Sequence, residues 1–318
     1  MNPLTHFENK NTKIKRKILR NVLLSLGVFF ALAISVYAEN LYVSAQVPPS
    51  HAILEFTPDG TQSTYASGLL FPRGLAFDSI GNLFAAETLQ PDNHETGRVL
   101  KFNLRNHVST VGSAAKFFFG GLAIDIAGNA YVLATDDRSP TAAGTIFKFT
   151  PTGERTVFGS VPGVPDPPVV NLGLAFDSTG NLYATASSAQ MIYKFAPDGT
   201  RTVFVGPDAF ESGEYPAGLA FDGSGNLFVS IETLTDPEAG SIVYFSPTGV
   251  KSPFATGLII PRGLAFDSSG NLFVAEVNQP EANQPGDILK FPSGGGPPTV
   301  FASFSRGRPE FLAFGPPR

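Results

Sequence analysis

Six near-copies of one phrase run through this chain, and the sixth is divided between its two ends. The phrase reads GLAFDSIGNLF from Gly74, GLAIDIAGNAY from Gly121, GLAFDSTGNLY from Gly173, GLAFDGSGNLF from Gly218 and GLAFDSSGNLF from Gly263. The second half of the sixth copy, ENLYVSA, starts at Glu39, and its first half, FLAFG, starts at Phe311. Repetition of this kind constrains architecture strongly, because each unit must bury its apolar face against the next. The repeated Asn40, Asn82, Asn129, Asn181, Asn226 and Asn271 recur at intervals of 42 to 52 residues.

Each unit holds four short apolar runs. GLAF comes first, and NLFVA follows a DxxGN turn. A third run ends in Phe, as in RVLKF from Arg98 and TIFKF from Thr145. A fourth follows a turn such as TPDG or SPTG, as in RTVFGS from Arg155. The runs are rich in Val, Ile, Phe, Tyr and Thr and are bounded by Gly, Pro, Asp and Asn, which predicts strands joined by turns with no helical period. GLAF and NLFV are apolar at consecutive positions, so both faces of these strands are expected to be covered. The Asp of DxxGN can accept from the backbone ahead of it, and its Gly accepts positive φ. Asp78, Asp125, Asp177, Asp222 and Asp267 are therefore read as turn builders.

Four strands in about 45 residues predict one blade of a β-propeller. The expectation is an all-β, six-bladed β-propeller with four antiparallel strands per blade. The C-terminal strand, at about 311–314, would join the N-terminal blade and seal the ring. The expected blades are 39–67 with 311–314, then 74–113, 121–160, 173–206, 218–256 and 263–303.

The N-terminus reads differently. Lys10, Lys13, Lys15, Arg16, Lys17 and Arg20 precede an apolar run from Val22 to Ala38. A basic segment, an apolar core and the ending Val36-Tyr37-Ala38 predict a signal peptide over 1–38, removed after Ala38, with the propeller occupying 39–318. The alternative is a retained anchor. Removing 1–38 takes six basic residues and one acidic one from totals of 22 and 27, leaving a net charge near −10. Such a surface repels nucleic acid and anionic lipid, so neither is an expected partner. The chain contains no Cys and therefore uses no disulfides. The expected location is secreted, periplasmic or within the cell envelope, and the expected state is a monomer.

The pattern P-x-G-L-A-F-D-x-x-G-N-L-F-V-A-E resembles the NHL repeat. It also resembles the superfamily of six-bladed propellers that contains the gluconolactonase and senescence-marker-protein enzymes and the virginiamycin B lyases. The resemblance covers essentially all of residues 39–318 and rests on residues that build strands and turns. It implies an enzyme whose divalent cation is held on the channel axis by Glu, Asn and Asp, with one Asn directly before a GLAF-type strand. Here that position holds Arg73, Gly120, Leu172, Ala217, Arg262 or Glu310, and Asn171 stands one residue earlier. The lyase resemblance implies a His and acidic residues with magnesium, and no His here matches that motif.

Propeller loops on one face surround the mouth of the central channel, and binding residues concentrate on loops. Two frames of PRGLAFDxxGNLFxAE place Arg73 with Glu87 and Arg262 with Glu276, and Arg308 and Glu310 fall in the blade between them. With Asn171, these seven are the candidate binding residues for an anionic or sugar-like ligand, and rim salt bridges are the competing reading. His51 and His94, near Asp92, Glu95 and Asp287, are weak metal candidates, because no short His-x-His or HExxH spacing supports them. The leading expectation is a non-catalytic scaffold that binds a protein, peptide or carbohydrate, with no cofactor. The alternative is a metal-dependent lactone hydrolase or lyase using Ca, Mg or Zn, with Glu87, Glu276, Asn171 and Glu310 at the mouth.

Overall fold

A computed structural model describes residues 39–47, 51–89, 96–136, 143–164, 172–277 and 285–316. The compact unit spans Glu39–Arg318. Its described residues form strands and turns, with two single-turn 3-10 helices at Pro207–Ala209 and Pro237–Ala239 and no α-helix.

The strands run in chain order as β1 (Leu41–Gln46), β2 (His51–Phe56) and β3 (Gln62–Leu69), then β4 (Pro72–Phe77), β5 (Leu83–Leu89), β6 (Thr96–Phe102) and β7 (Val108–Ala115). Next come β8 (Phe117–Ile124), β9 (Ala130–Asp136), β10 (Gly144–Phe149) and β11 (Arg155–Val161), followed by β12 (Leu174–Phe176), β13 (Leu182–Ala186), β14 (Met191–Phe195) and β15 (Arg201–Val205). The last two groups are β16 (Glu214–Phe221), β17 (Leu227–Thr233), β18 (Gly240–Phe245) and β19 (Lys251–Leu258), then β20 (Pro261–Phe266), β21 (Leu272–Glu276), β22 (Asp287–Phe291) and β23 (Thr299–Ser303). β24 (Arg308–Phe314) ends the series.

Neighbours within each group pair antiparallel. Three four-stranded sheets follow chain order, β12 to β15, β16 to β19 and β20 to β23. A fourth has the order β24-β1-β2-β3, so the two ends of the unit share one sheet. β4 to β7 and β8 to β11 are joined into one eight-stranded sheet by a single parallel bridge between Thr96 and Phe117. The described residues are all-β, in four-strand antiparallel repeats consistent with a propeller.

The second strand of each group is covered on both faces, as its continuous apolar run requires: every residue of β1, β13 and β21 is buried. The terminal Phe of the third strand sinks between groups, with Phe56, Phe149, Phe195 and Phe245 almost wholly enclosed. Packing between groups is aromatic. Tyr131 of β9 meets Phe158 of β11 and Phe176 of β12 edge-on, with ring centroids 5.0 and 5.1 Å apart. The DxxGN turn has the anticipated chemistry. Asp78 Oδ1 accepts from the Ile80 and Asn82 amides, Asn82 Nδ2 donates to Asp78 Oδ2 at 2.6 Å, and Gly81 adopts φ +87°.

Four first strands begin earlier than the phrase GLAF suggests, at Pro72, Phe117, Glu214 and Pro261, and β24 begins at Arg308 rather than near 311. The segments just ahead of the phrase, such as PRG and FFFGG, are therefore strand. A bulge makes this fit: the β4–β5 register slips between Pro72 and Leu75, and the other extended first strands slip at the same place. The glycine inside the bulge is required by close approach. A Cβ on Gly74 would lie 2.5 Å from the Leu122 amide of β8, and one on Gly263 would lie 2.7 Å from the Glu310 carbonyl of β24.

Candidate functional site: an arginine cluster around Glu310

The bulges bring the starts of three first strands together and give their polar side chains a common target. Glu310 is fully buried. It accepts from Arg262 Nη1 at 2.9 and 2.8 Å and from Arg73 Nη1 at 3.3 Å, and it forms an ion pair with Arg308 Nε at 2.8 Å. Arg262 also donates through Nε to Glu232, at the end of β17, at 2.9 Å. Arg308 donates through Nη2 to Gln46 Oε1, at the end of β1, at 2.9 Å. The Arg73 guanidinium lies over the Phe118 ring of β8, 4.5 Å from its centroid. Three guanidiniums face the two carboxylates of Glu310 and Glu232, so the cluster carries one net positive charge.

The electrostatics follow from burial and these pairings. Burial alone would raise the Glu310 carboxyl, but Arg262, Arg73 and Arg308 hold it down at about 2. Burial would lower Arg262, and Glu232 and Glu310 reverse this and raise it. Arg73 has only the longer bond to Glu310. Burial therefore prevails, with Arg262 and Arg308 adding to it and Glu310 opposing, and brings Arg73 down to about 10. It remains charged at neutral pH.

The candidate residues separate into two groups. Arg73, Arg262, Arg308 and Glu310 converge. Glu87 and Glu276 do not join them, and the expected in-frame pairs Arg73–Glu87 and Arg262–Glu276 are not formed. Pro72, not Arg73, stands opposite Glu87 in the ladder, and Pro261 stands opposite Glu276. Successive side chains point to opposite faces, so each Arg is turned away from its frame partner. Glu87 instead binds Arg98 and accepts from the Leu70 amide at 3.0 Å, and Glu276 accepts from the Ile259 amide. Both carboxylates clamp the tight turn ahead of PRG, where Phe71 and Ile260 adopt φ of +43° and +45°. Burial also lifts the Glu276 carboxyl above its ordinary value, with Asp287 adding to the rise and the Ile259 amide opposing it.

Asn171, His94, Asp92 and Glu95 lie outside the described residues. His51 stands at the start of β2, with its ring 5.0 Å from that of Phe71. Burial, then Arg308, lowers its pKa, and Glu310 opposes this. Among the described residues no three His, Asp or Glu side chains gather at metal-holding distance. The donor chemistry around Glu310 does not fit a divalent cation either: its carboxylate is already shared by three guanidiniums, whose field repels one.

Three participants were not singled out in the sequence. Glu232 has a visible signal, since it ends NLFVSIE as Glu87 and Glu276 end NLFAAE and NLFVAE. Gln46 ends β1 and Thr135 is the penultimate residue of β9, without any repeated letter to mark them. Ser44, Thr88, Thr185 and Ser230 are buried hydroxyls in the second strands. They accept from the amides of Phe311, Phe119, Gly173 and Gly218 at 2.8–3.0 Å, supplying hydrogen-bond partners to these amides.

No protein-family model matches the sequence, and no curated protein matches it. Solved structures match by shape. Regucalcin from Agrobacterium tumefaciens, a calcium-binding protein, superposes with a TM-score of 0.57 at 12% identity, covering 76% of this chain and 86% of that one. A protein of unknown function from Bacteroides caccae gives 0.57 at 13% identity, covering 87% and 99%. A gluconolactonase from Xanthomonas campestris gives 0.54 at 17% identity, covering 74% and 83%. At these identities the likeness is one of fold: the chain shares the architecture of the regucalcin- and gluconolactonase-like propeller proteins, as its repeat implied.

Proposed function

We propose that this chain is an exported six-bladed propeller, sealed by Arg308–Phe314, that binds a small molecule at the mouth of its axial channel. The observation that carries the reading is the convergence of Arg73, Arg262 and Arg308, from three sheets, on the buried Glu310. The ring is supported by the order in which first strands touch: β24 to β4, β4 to β8, then β12, β16, β20 and back to β24. A concave end lined by a few convergent polar groups on rigid strands is the usual setting of a ligand site. Export and removal of residues 1–38 rest on the basic and apolar N-terminal pattern. A thermal-shift screen of the purified chain against sugars, sugar acids, lactones and short peptides, with and without divalent cations, tests the binding reading. A bound small molecule raises the apparent stability by mass action. A response to peptides alone would return the function to an interaction scaffold.

The second reading is a lactone hydrolase or lyase, supported by the fold shared with a gluconolactonase and a calcium-binding regucalcin. The Arg262-paired Glu310 does not suit a cation, so this reading needs a site built differently from the described cluster. Lactone turnover abolished by chelation and restored by Ca, Mg or Zn would establish it in place of binding alone.

A further inference from the structure

Four buried side-chain polar atoms in the described residues have no hydrogen-bond partner: Gln46 Nε2, His51 Nδ1, Arg73 Nε and Thr135 Oγ1. All four border the arginine cluster. Gln46 holds Arg308 through its carbonyl oxygen, which fixes its amide nitrogen on the other side. His51 lies within electrostatic reach of Arg308 and Glu310. Arg73 belongs to the cluster itself, and Thr135 stands opposite Phe118, the ring beneath Arg73. A protein of this size satisfies nearly all of its buried polar groups, and each failure costs about 1–3 kcal/mol. Four failures on residues of one cluster or next to it, and none at another described place, point to a site built for a ligand's polar atoms.

The chemistry of that ligand can be read from what is left over. Gln46 Nε2 and Arg73 Nε are donors, and the Thr135 hydroxyl can donate. Arg73 spends only one of its N–H groups on Glu310. The surplus positive charge is one. We infer that the cluster takes a monoanionic carboxylate, bound across the Arg73 and Arg308 guanidiniums with Gln46 and Thr135 as further donors. The planar fork of an arginine matches a carboxylate, and one negative charge brings the cluster to neutrality. Glu310 then has a positioning role: it gathers the guanidiniums and, together with Glu232, lowers their combined charge to what a single carboxylate balances. The inference rests on the small-molecule reading above and sharpens it to a ligand class.

The test is calorimetric titration of the purified full chain with D-gluconate, with D-glucitol, which lacks only the carboxylate, and with inorganic phosphate. Gluconate is expected to bind at least about tenfold more tightly than either of the others, which corresponds to about 1.4 kcal/mol. Arg73→Met is expected to weaken it by about tenfold or more. Thr135→Val, which keeps the side-chain shape and therefore the fold, is expected to weaken it several-fold. Equal binding of glucitol, preference for phosphate, no gluconate binding, or gluconate binding untouched by both substitutions would overturn the carboxylate assignment. Glucitol binding that is lost in Arg73→Met would overturn it while leaving the small-molecule site standing. A thermal-shift screen silent for every small molecule would remove that site as well.

Discussion

Glu310 is the residue on which the most charge depends. Three guanidiniums are gathered around one buried carboxylate, so removing its charge leaves them facing one another in a poorly hydrated place. Glu310→Gln is expected to cost about 3–5 kcal/mol, measured by urea denaturation at neutral pH. The pH dependence has a definite sign. The carboxyl ordinarily titrates near 4.5 and is held at about 2, so its stabilising contribution is complete above about 4.5 and is lost as pH falls toward 2. Wild-type stability should decline through that window, and Glu310→Gln should lack this component. At the turns the stakes are smaller. Asp267 accepts from two backbone amides and the Asn271 side chain. Asp267→Ala is expected to lose about 1–2 kcal/mol by the same measurement, as removal of a structural cap rather than of a ligand. Turn residues of this kind were legible from spacing alone, because Asp, Gly and Asn each have one stereochemical task there. Gln46 and Thr135 were not legible, because a single polar residue at a strand end has the same local sequence whether it faces solvent or a cluster.

The bulged first strand is the element that makes the site. By slipping one register it turns the Arg of PRG away from the Glu that follows in sequence and toward a neighbouring sheet. The repeat frame suggested pairing within a blade, and the bulge replaces it with pairing between sheets. That exchange was hidden because sequence periodicity reports which residues recur, not which face a local slip gives them. The glycine of GLAF tests the packing half of this account. Gly74→Ala places a methyl 2.5 Å from the Leu122 backbone nitrogen, whereas Gly223→Ala meets nothing within 4 Å. The first is expected to destabilise by about 1–3 kcal/mol and the second to be nearly neutral, as read from paired thermal melts.

At the scale of the whole unit, the divided repeat has a physical counterpart: β24 pairs with β1 from Leu41–Phe314 to Gln46–Arg308. It also delivers Arg308 and Glu310, so pairing of the terminal strand and assembly of the arginine cluster are the same event. Deleting residues 308–318 is expected to lower the melting temperature, broaden the transition and abolish ligand binding together. A truncation that melts like the full chain would separate closure from stability. Four-strand repeats and the shared sheet of the two termini were readable from the divided copy alone. The position of the arginine cluster was not, since it depends on three sheets meeting. The most direct measurement is a crystal structure of the chain grown with D-gluconate. The carboxylate should lie against Arg73 and Arg308, with Gln46 Nε2 and the Thr135 hydroxyl turned toward it. A carboxylate bound elsewhere, with the arginines still closed on Glu310 and those atoms still unpaired, would contradict the account.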